Sequence, residues 1–459
     1  MGTTGSARAF LTLLACLFLV PLAAWVATRG EPSDVFQLIA PAAGAIAVLG
    51  WLLLLVMYGG PVLTGQDRTR ISFVFGPWLR AVMLLIGLSM LAQTALFAYT
   101  FVMVEREHSG SLQVSVVIAL VCVAGLYAFV TLTKASISFF QSRPLTVKGA
   151  LLTRAEQPRL YELVEGLARK LRAQPPDQIV LGAEPTFFVT SSEVRLWGSE
   201  KMLRGRTLYV SASLMRVLDA AQFAAVLGHE LGHFRGEDVA YSMRFAPTYA
   251  RFGRTMRALA ASSGYQVIDL AKWPAVVMLH ACMARFVTLE RTVGREREML
   301  ADQAGVEATD KHAFAHALVK TTLAGPLWGD LTQANVKLLA DGKALSHLPS
   351  TFADGFSRLV QALDWQAVCG RLGDQVLPHP VDSHPPLAQR LAAVGVPLES
   401  VAQSECSVGP ASACEVLDDA SKLEERLSEV EARWLVSVGA ASPPKEGNDA
   451  KARGEAATD

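Results

Sequence analysis

Residues 229–233 read His-Glu-Leu-Gly-His and form an H-E-x-x-H motif near the middle of the chain. Residues four apart lie on the same face of an α-helix, so His229 and His233 can reach a single cation. Glu230 stands beside them, where it can take a proton from a water molecule that attacks a substrate. Two histidine ligands and a general base within one helical turn are typical of zinc metallopeptidases.

The residues before the motif predict the helix that this chemistry needs. Residues 220–228 are amphipathic and rich in helix formers, and Asp219 is a candidate N-cap. The alternative is a surface helix that carries two histidines and a glutamate without binding a metal. The context of the motif favours the metal-binding interpretation.

A catalytic zinc ion needs a third protein ligand, and no residue near the motif can supply it. In the extended pattern H-E-x-x-H-x-x-G-x-x-H, the third histidine position is occupied here by Val239. Glu237 would lie about 12 Å from His229 along a straight helix. Zinc ligands lie at about 2 Å from the ion, so the third ligand must come from a distant segment.

A second helix is predicted for residues 294–304, where Glu298 and Asp302 are four apart on one face. Glu298 could complete the zinc site, and Asp302 could accept a hydrogen bond from the second ring nitrogen of a ligand histidine. The alternative is a solvated, charged face, because Arg295 can pair with Glu298 at a spacing of three residues. The spacing alone leaves both interpretations open.

The two motifs together resemble those of the HtpX-type membrane metallopeptidases, which are relatives of the CAAX prenyl endopeptidases. In that family H-E-x-x-H is followed by a helix with E-x-x-x-D. The resemblance covers about residues 150–395. It includes three further segments in the family's order, namely the helix that opens the catalytic domain (158–164), the strand before the active-site helix (207–211) and a late His-Pro-Pro…Arg element (383–390).

The resemblance implies a role for each residue around the metal. One zinc ion per chain would be held by His229, His233 and Glu298. Glu230 would be the general base, and Asp302 would orient a ligand histidine. His384 would donate to the developing oxyanion, and Arg390 would be a buried partner that holds its element in place. The other interpretation of His384 and the prolines after it is a turn before a helix.

Two positions depart from the family pattern. Gly294 stands where the family usually has serine, which affects no catalytic residue. Residues 186–190 lack the asparagine that the family carries in the strand bordering the cleft, so recognition of the substrate backbone can differ there. Phe188 and Val189 are the candidate substrate-binding residues, because the edge of this strand can still pair with an extended peptide.

The N-terminal third contains four apolar runs, at about residues 10–28, 36–58, 81–104 and 113–133. Each is long enough to cross a hydrocarbon core of about 30 Å. The alternative for residues 1–28 is a cleavable signal peptide. The positive-inside rule places the N-terminus and the catalytic domain in the cytoplasm, on the strength of Arg8, Arg68, Arg70, Arg80, Lys134, Arg143 and Lys148.

Residues 241–293, between the two motifs, contain an apolar stretch interrupted by charge. This pattern favours an amphipathic helix at the membrane surface, or a lid over the cleft, rather than a further span. The six cysteines are widely spaced. Cys406 and Cys414 could form a bridge only outside the cytoplasm, so reduced thiols are expected.

The composition argues against nucleic-acid binding. The 42 basic and 42 acidic residues balance, and no basic patch is interleaved with aromatic residues. The expected partners are polypeptide substrates, including membrane proteins, and the lipid bilayer. No Gly-rich phosphate-binding loop is present either.

The predicted fold class is a multi-pass α-helical membrane region followed by a mainly α (α+β) zincin-like metallopeptidase domain with a small sheet. The expected domains are a membrane region (1–140), the peptidase domain (150–395), a C-terminal helical segment (396–441) and a disordered tail (442–459).

The resemblance implies an integral membrane zinc-dependent endopeptidase of a bacterial-type inner or plasma membrane, acting in membrane-protein or envelope quality control. The first alternative is a CAAX-type processing peptidase, whose chamber of seven helices four spans would not build. The second is a non-catalytic membrane scaffold that retains the fold. The intact motif residues argue against a scaffold, since His229, Glu230, His233 and Glu298 are all present.

Overall fold

The computed structural model describes residues 3–29, 33–65, 68–109, 115–140, 144–235, 266–373 and 385–441, with several positions between 252 and 264. The expectations for His384 and for the tail after residue 441 lie outside these residues. The chain divides into two compact units. The first unit is Met1–Ser142 with Ala240–Val293, and the second is Arg143–Val239 with Gly294–Asp459.

The first unit begins with four long apolar helices, α1 (Thr3–Ala27), α2 (Ser33–Thr64), α3 (Arg68–Ser109) and α4 (Ser115–Phe140). Within the described residues, four segments are long and apolar enough to cross a membrane, by length and composition: Phe10–Ala27, Gln37–Gly60, Phe73–Arg106 and Ile118–Ile137. The predicted number and order of apolar spans are confirmed. The third span starts earlier than predicted, at Phe73, so Arg80 lies inside α3 rather than in a connection.

Helix α8 (Gln266–Ala308) runs from the first unit into the second. In the first unit its residues Met278, Leu279 and Cys282 are buried in one apolar cluster with Leu17 of α1 and Leu53 of α2. Residues 266–293 are therefore helical, and Met278, Leu279 and Cys282 pack on the apolar helices. The segment is not among the four candidate spans found in the described residues. Their predicted position at a membrane surface or over the cleft stays a prediction.

In its described residues the second unit contains two small sheets with seven strands in total. The strands are β1 (Leu145–Val147), β2 (Ala150–Leu152), β3 (Gln178–Gly182), β4 (Phe188–Thr190), β5 (Val194–Leu196), β6 (Met202–Leu203) and β7 (Thr207–Ser211). One sheet has the order β1-β5-β6 and the other β2-β3-β7-β4. In the larger sheet, β3 and β7 are parallel neighbours, and β7 is buried at every position, as a central strand should be. Strand β4 pairs antiparallel with β7 and is an edge.

Helices surround this sheet and supply most of the core. They are α5 (Pro158–Leu171), α6 (Ala212–Val217), α7 (Ala220–Gly232), the end of α8, α9 (Lys311–Ala340), α10 (Leu348–Ala362), α11 (Trp365–Gly373), α12 (Leu387–Ala393) and α13 (Ala420–Ser437). Helix α5 is an example of how these helices pack on the core. Its buried residues recur at helical spacing and form one apolar face, made of Leu160, Val164, Leu167 and Leu171. The mainly helical fold class with a small sheet is confirmed. The helix predicted at residues 158–164 lies within α5, and the strand predicted at residues 207–211 is β7.

Candidate metal centre

Helix α7 carries the H-E-x-x-H motif in its last turn. Asp219 caps its start: the Asp219 carboxylate accepts a hydrogen bond from the Gln222 backbone N–H at 2.8 Å, and the Gln222 side chain accepts one from the Asp219 N–H at 3.3 Å. This capping box satisfies two backbone donors that a helix start otherwise leaves unpaired. The predicted N-cap is confirmed. His229 and Glu230 lie within the helix, and His233 is its C-cap.

Helices α7 and α8 approach each other closely at a face of small residues. A Cβ atom added at Gly228 would clash with the Ala308 side chain. A Cβ at Gly232 would lie 3.0 Å from Cα of Ala301 and 3.0 Å from Cβ of Ala304. Because only glycines and alanines lie between the two helices here, longer side chains of α7 and α8 beside this contact can reach each other. In the sequence these small residues recur at spacings of three and four, a signal of close helix packing.

Three side chains of α7 and α8 converge beside this contact. His229, His233 and Glu298 each offer one ligand atom, and these atoms lie within 4.8 Å of one another. The Nε2 atoms of His229 and His233 each lie 3.7 Å from a different oxygen of Glu298. Within the described part of the chain, no other group of three such residues converges in this way. The predicted ligand set is therefore brought together from two helices.

The donor set fits a zinc ion. A tetrahedral ion with ligands at about 2.0–2.1 Å holds them about 3.4 Å apart, close to the separations between the imidazoles and the carboxylate. All three side chains are buried, with 5%, 9% and 6% of the residue surface exposed for His229, His233 and Glu298. Burial also excludes the alternative in which Glu298 belongs to a solvated, charged face. Two imidazoles and one carboxylate are ligands that zinc prefers.

Asp302 and Arg390 lie behind the ligand His229. Nδ1 of His229 is 2.9 Å from Oδ1 of Asp302, which is 1% exposed. Arg390 of α12 donates to both oxygens of Asp302, from Nη2 to Oδ1 at 2.6 Å and from Nε to Oδ2 at 2.9 Å. When Nδ1 carries the proton that Asp302 accepts, Nε2 keeps its lone pair for a metal. The chain Arg390–Asp302–His229 thus selects the ring nitrogen that faces Glu298.

The charges of these hydrogen-bonded residues shift the pKa values of His229 and Asp302. Burial lowers the pKa of His229, but the hydrogen bond to Asp302 and the charge of Glu298 outweigh burial and raise the pKa above its ordinary value. Burial raises the pKa of Asp302, yet the hydrogen bonds from Arg390 and His229 hold that pKa below its ordinary value. Asp302 is therefore ionised at neutral pH and acts as an acceptor.

The remaining predicted residues have different positions. Glu230 is buried on α7, and its charge acts on His229 and on Arg390. Phe188 and Val189 lie half-buried on the edge strand β4. His384 lies outside the described residues.

Aromatic contacts hold the segment around strand β4 against β7 and α7. The Phe188 ring stacks on Tyr209 of β7, with centroids 4.8 Å apart. Phe187, just before β4, meets Phe223 of α7 at 5.9 Å. The strand predicted to border the cleft is thus held against the helix that carries His229, Glu230 and His233.

One contact near the site could not be foreseen from the sequence. His312 and His316 are four apart at the start of α9, and no acidic residue stands beside them in the sequence apart from the N-cap Asp310. The fold brings Glu405 to within 3.3 Å of Nε2 of His316. These side chains do not converge on one point as the buried ligand set does.

Comparison with protein-family models gives a match of residues 155–396 to peptidase family M48. That match covers more than half of the 459 residues and contains every residue of the metal centre. The chain belongs to peptidase family M48. The family and the buried histidine–glutamate cluster together make it a metallopeptidase.

Curated relatives of this M48 chain include several proteins called protease HtpX homolog. The one from Pyrobaculum aerophilum is 28% identical over 291 residues, covering 62% of this chain and 78% of that protein. The one from Archaeoglobus fulgidus is 27% identical over 243 residues, covering 51% of this chain and 66% of that protein. The one from Streptococcus thermophilus is 26% identical over 214 residues, 42% and 68% of the two chains. No solved structure matches the chain.

Proposed function

We propose that this chain is an integral membrane zinc endopeptidase that hydrolyses peptide bonds at the centre formed by His229, His233 and Glu298. The convergence of these three buried side chains carries the proposal. It is supported by the orienting hydrogen bonds behind His229 and by the family of the chain. Bound zinc would supply a Lewis acid at this point.

The residues around the metal centre would have different roles in peptide hydrolysis. Glu230 would accept a proton from the attacking water and return it to the leaving amine. Asp302 and Arg390 would keep His229 in the tautomer and orientation that a ligand needs. Phe188 and Val189 would offer the edge of β4 to the backbone of an extended substrate, because β4 pairs on only one side within its sheet. His384 remains the candidate donor to the oxyanion.

The setting of the enzyme is part of the proposal. Four apolar helices of sufficient length and relatives called HtpX homologs support a membrane protein. The basic residues that follow the fourth apolar run favour a cytoplasmic catalytic unit. The substrates would be membrane or misfolded polypeptides, as in envelope quality control. Protease digestion of inside-out and right-side-out vesicles tests the orientation, because only inside-out vesicles should expose the catalytic unit.

Proteolysis by the detergent-purified chain tests the proposed reaction. Casein cleavage is compared between the wild type, Glu230→Gln and a control, Glu296→Gln, whose glutamate is exposed on α8. Loss of the base should slow cleavage by a factor on the order of 10²–10⁴ while zinc stays bound, and the control should match the wild type. Equal cleavage by Glu230→Gln and the wild type would remove Glu230 from the reaction.

A further inference from the structure

A half-buried cation joins the C-terminal helix to the segment that leads into β4. Nζ of Lys148, between β1 and β2, lies 2.8 Å from Oε1 of Glu431 on α13 and 2.8 Å from Oε1 of Glu184. The same Nζ lies 3.7 Å from the centre of the Trp434 ring. The Lys148 side chain is 12% exposed, that of Glu431 is 3% exposed and that of Glu184 is 40% exposed. The pair with Glu431 and the contact with the Trp434 ring are thus largely shielded from solvent, while the pair with Glu184 lies nearer the surface.

Helix α13 does not depend on Lys148 for its own position. Glu424, about two helical turns before Glu431, is bonded to Arg216 of α6 and accepts a hydrogen bond from the Ser350 hydroxyl at 2.7 Å. Ser428 accepts one from the backbone N–H of Leu348 at 2.8 Å. These buried contacts fix the helix from a second side. Lys148 is therefore held by a rigid support, and a change at Lys148 can leave α13 in place.

From Lys148 the contacts lead to the cleft edge. Glu184 follows β3 and lies four residues before Phe188, the first residue of β4. Tyr209 connects the same parts, because its hydroxyl donates to the Lys148 carbonyl at 3.3 Å while its ring stacks on Phe188. Phe187, between Glu184 and Phe188 in the sequence, packs on Phe223 of α7. The segment 184–188 is thus fixed at its start by an ion pair and at its end by aromatic contacts.

Lys148 and its two partners on α13 lie outside the region that matches the M48 family. The match spans residues 155–396, so Lys148, Glu431 and Trp434 are outside it, whereas Glu184 and the aromatic residues that hold β4 are inside. Desolvation raises the pKa of Glu431 in spite of its pairing with Lys148. A buried carboxylate is costly, which makes a purely incidental surface pair a poor description of this cluster.

We propose that Lys148, held by Glu431 and Trp434, is a positioning residue that acts through Glu184 to fix the strand on which the substrate backbone binds. This inference rests on the proposed function, in which β4 receives the extended peptide. It assigns to the C-terminal helix a part in substrate affinity that is separate from metal binding, because no member of the network is a metal ligand.

Two variants and a matched control test the inference in the full-length protein. Glu184→Gln and Lys148→Met remove one charge each, and Glu429→Gln removes a charge from the exposed face of α13. Casein kinetics, zinc content and amide hydrogen exchange of residues 186–190 are measured for each. Breaking the pair should raise KM roughly two- to fivefold and speed exchange of residues 186–190. The kcat value, the zinc content and the control should stay at wild-type values.

The outcomes separate this inference from the proposed function. If KM and exchange of Glu184→Gln equal those of the Glu429→Gln control, Lys148 does not position β4. The same conclusion follows if the variants lose zinc or kcat instead of affinity, because the network would then support the metal centre. If the wild type cleaves nothing, the proposed function fails, and the exchange of residues 186–190 still decides whether the ion pair holds the strand. Glu184→Gln keeps the test available if Lys148→Met does not fold.

Discussion

Arg390 donates two hydrogen bonds to Asp302, of 2.6 and 2.9 Å, and so joins helix α12 to the carboxylate that lies 2.9 Å from Nδ1 of His229. The sequence resemblance suggested only that Arg390 holds its own element in place. In the structure its guanidinium neutralises a carboxylate that would otherwise be buried without a cation. Helix α12 therefore contacts the candidate metal centre through Arg390.

Arg390→Lys should weaken zinc binding. A lysine can reach one oxygen of Asp302 but cannot reproduce the planar, two-point contact of a guanidinium. Loss of a partner behind a ligand histidine typically lowers metal affinity by roughly 10- to 100-fold. Zinc affinity is measured by competition with a chromophoric chelator, with Arg371→Lys on α11 as an exposed control. Unchanged affinity in Arg390→Lys would mean that Asp302 orients His229 without help.

Gly228→Ala should separate the two helices that supply the ligands. The new methyl group would clash with the Ala308 side chain, and overpacking of this kind costs about 1–3 kcal/mol of stability. We expect a lower thermal midpoint and reduced zinc content. Gly325→Ala on α9 is the matched control, because a Cβ there meets no atom within 4 Å. Identical behaviour of the two variants would show that the close approach is not needed.

The affinity for zinc should fall as the pH is lowered. In the metal-free chain Asp302 and Glu298 raise the pKa of His229 despite its burial, so a proton competes with the metal from a pH above the ordinary histidine value. Below that pKa the affinity should drop on the order of tenfold per pH unit for each proton displaced. Chelator competition between about pH 5 and 8 measures it.

Asp302→Asn gives the control for this pH dependence. Removal of the carboxylate charge lowers the pKa of His229, so the fall in zinc affinity should begin at a lower pH than in the wild type. Affinity near neutral pH should also be weaker, because His229 is less well oriented. A pH profile with the same midpoint in both proteins would show that His229 is not the competing group.

Much of the metal centre could be predicted from the sequence because it depends on local patterns. The spacing of His229 and His233, the N-cap Asp219 and the face shared by Glu298 and Asp302 are helix properties that neighbouring residues determine. The four apolar runs were equally visible, since length and hydropathy alone define them. The choice of Glu298 as third ligand, however, came from the resemblance rather than from its spacing.

Other features depend on contacts between segments far apart in the chain. Whether Glu298 faces the histidines or solvent is decided by the approach of α7 and α8 at Gly228 and Gly232. The pairing of Lys148 with Glu431 joins residues 283 positions apart, and no local pattern indicates it. The third apolar span starts before Arg80 because α3 includes this arginine, whose charge in the sequence indicates a connection instead.

The zinc content of Glu298→Ala beside that of Glu296→Ala tests the central claim most directly. The two residues lie two apart on α8, one buried at the histidines and the other exposed, so both changes remove one negative charge from the same helix. We predict one zinc per chain in the wild type and in Glu296→Ala, and loss of both zinc and proteolysis in Glu298→Ala. If Glu298→Ala keeps stoichiometric zinc and cleaves casein at the wild-type rate, Glu298 is not the third ligand and the site described above is not the metal centre.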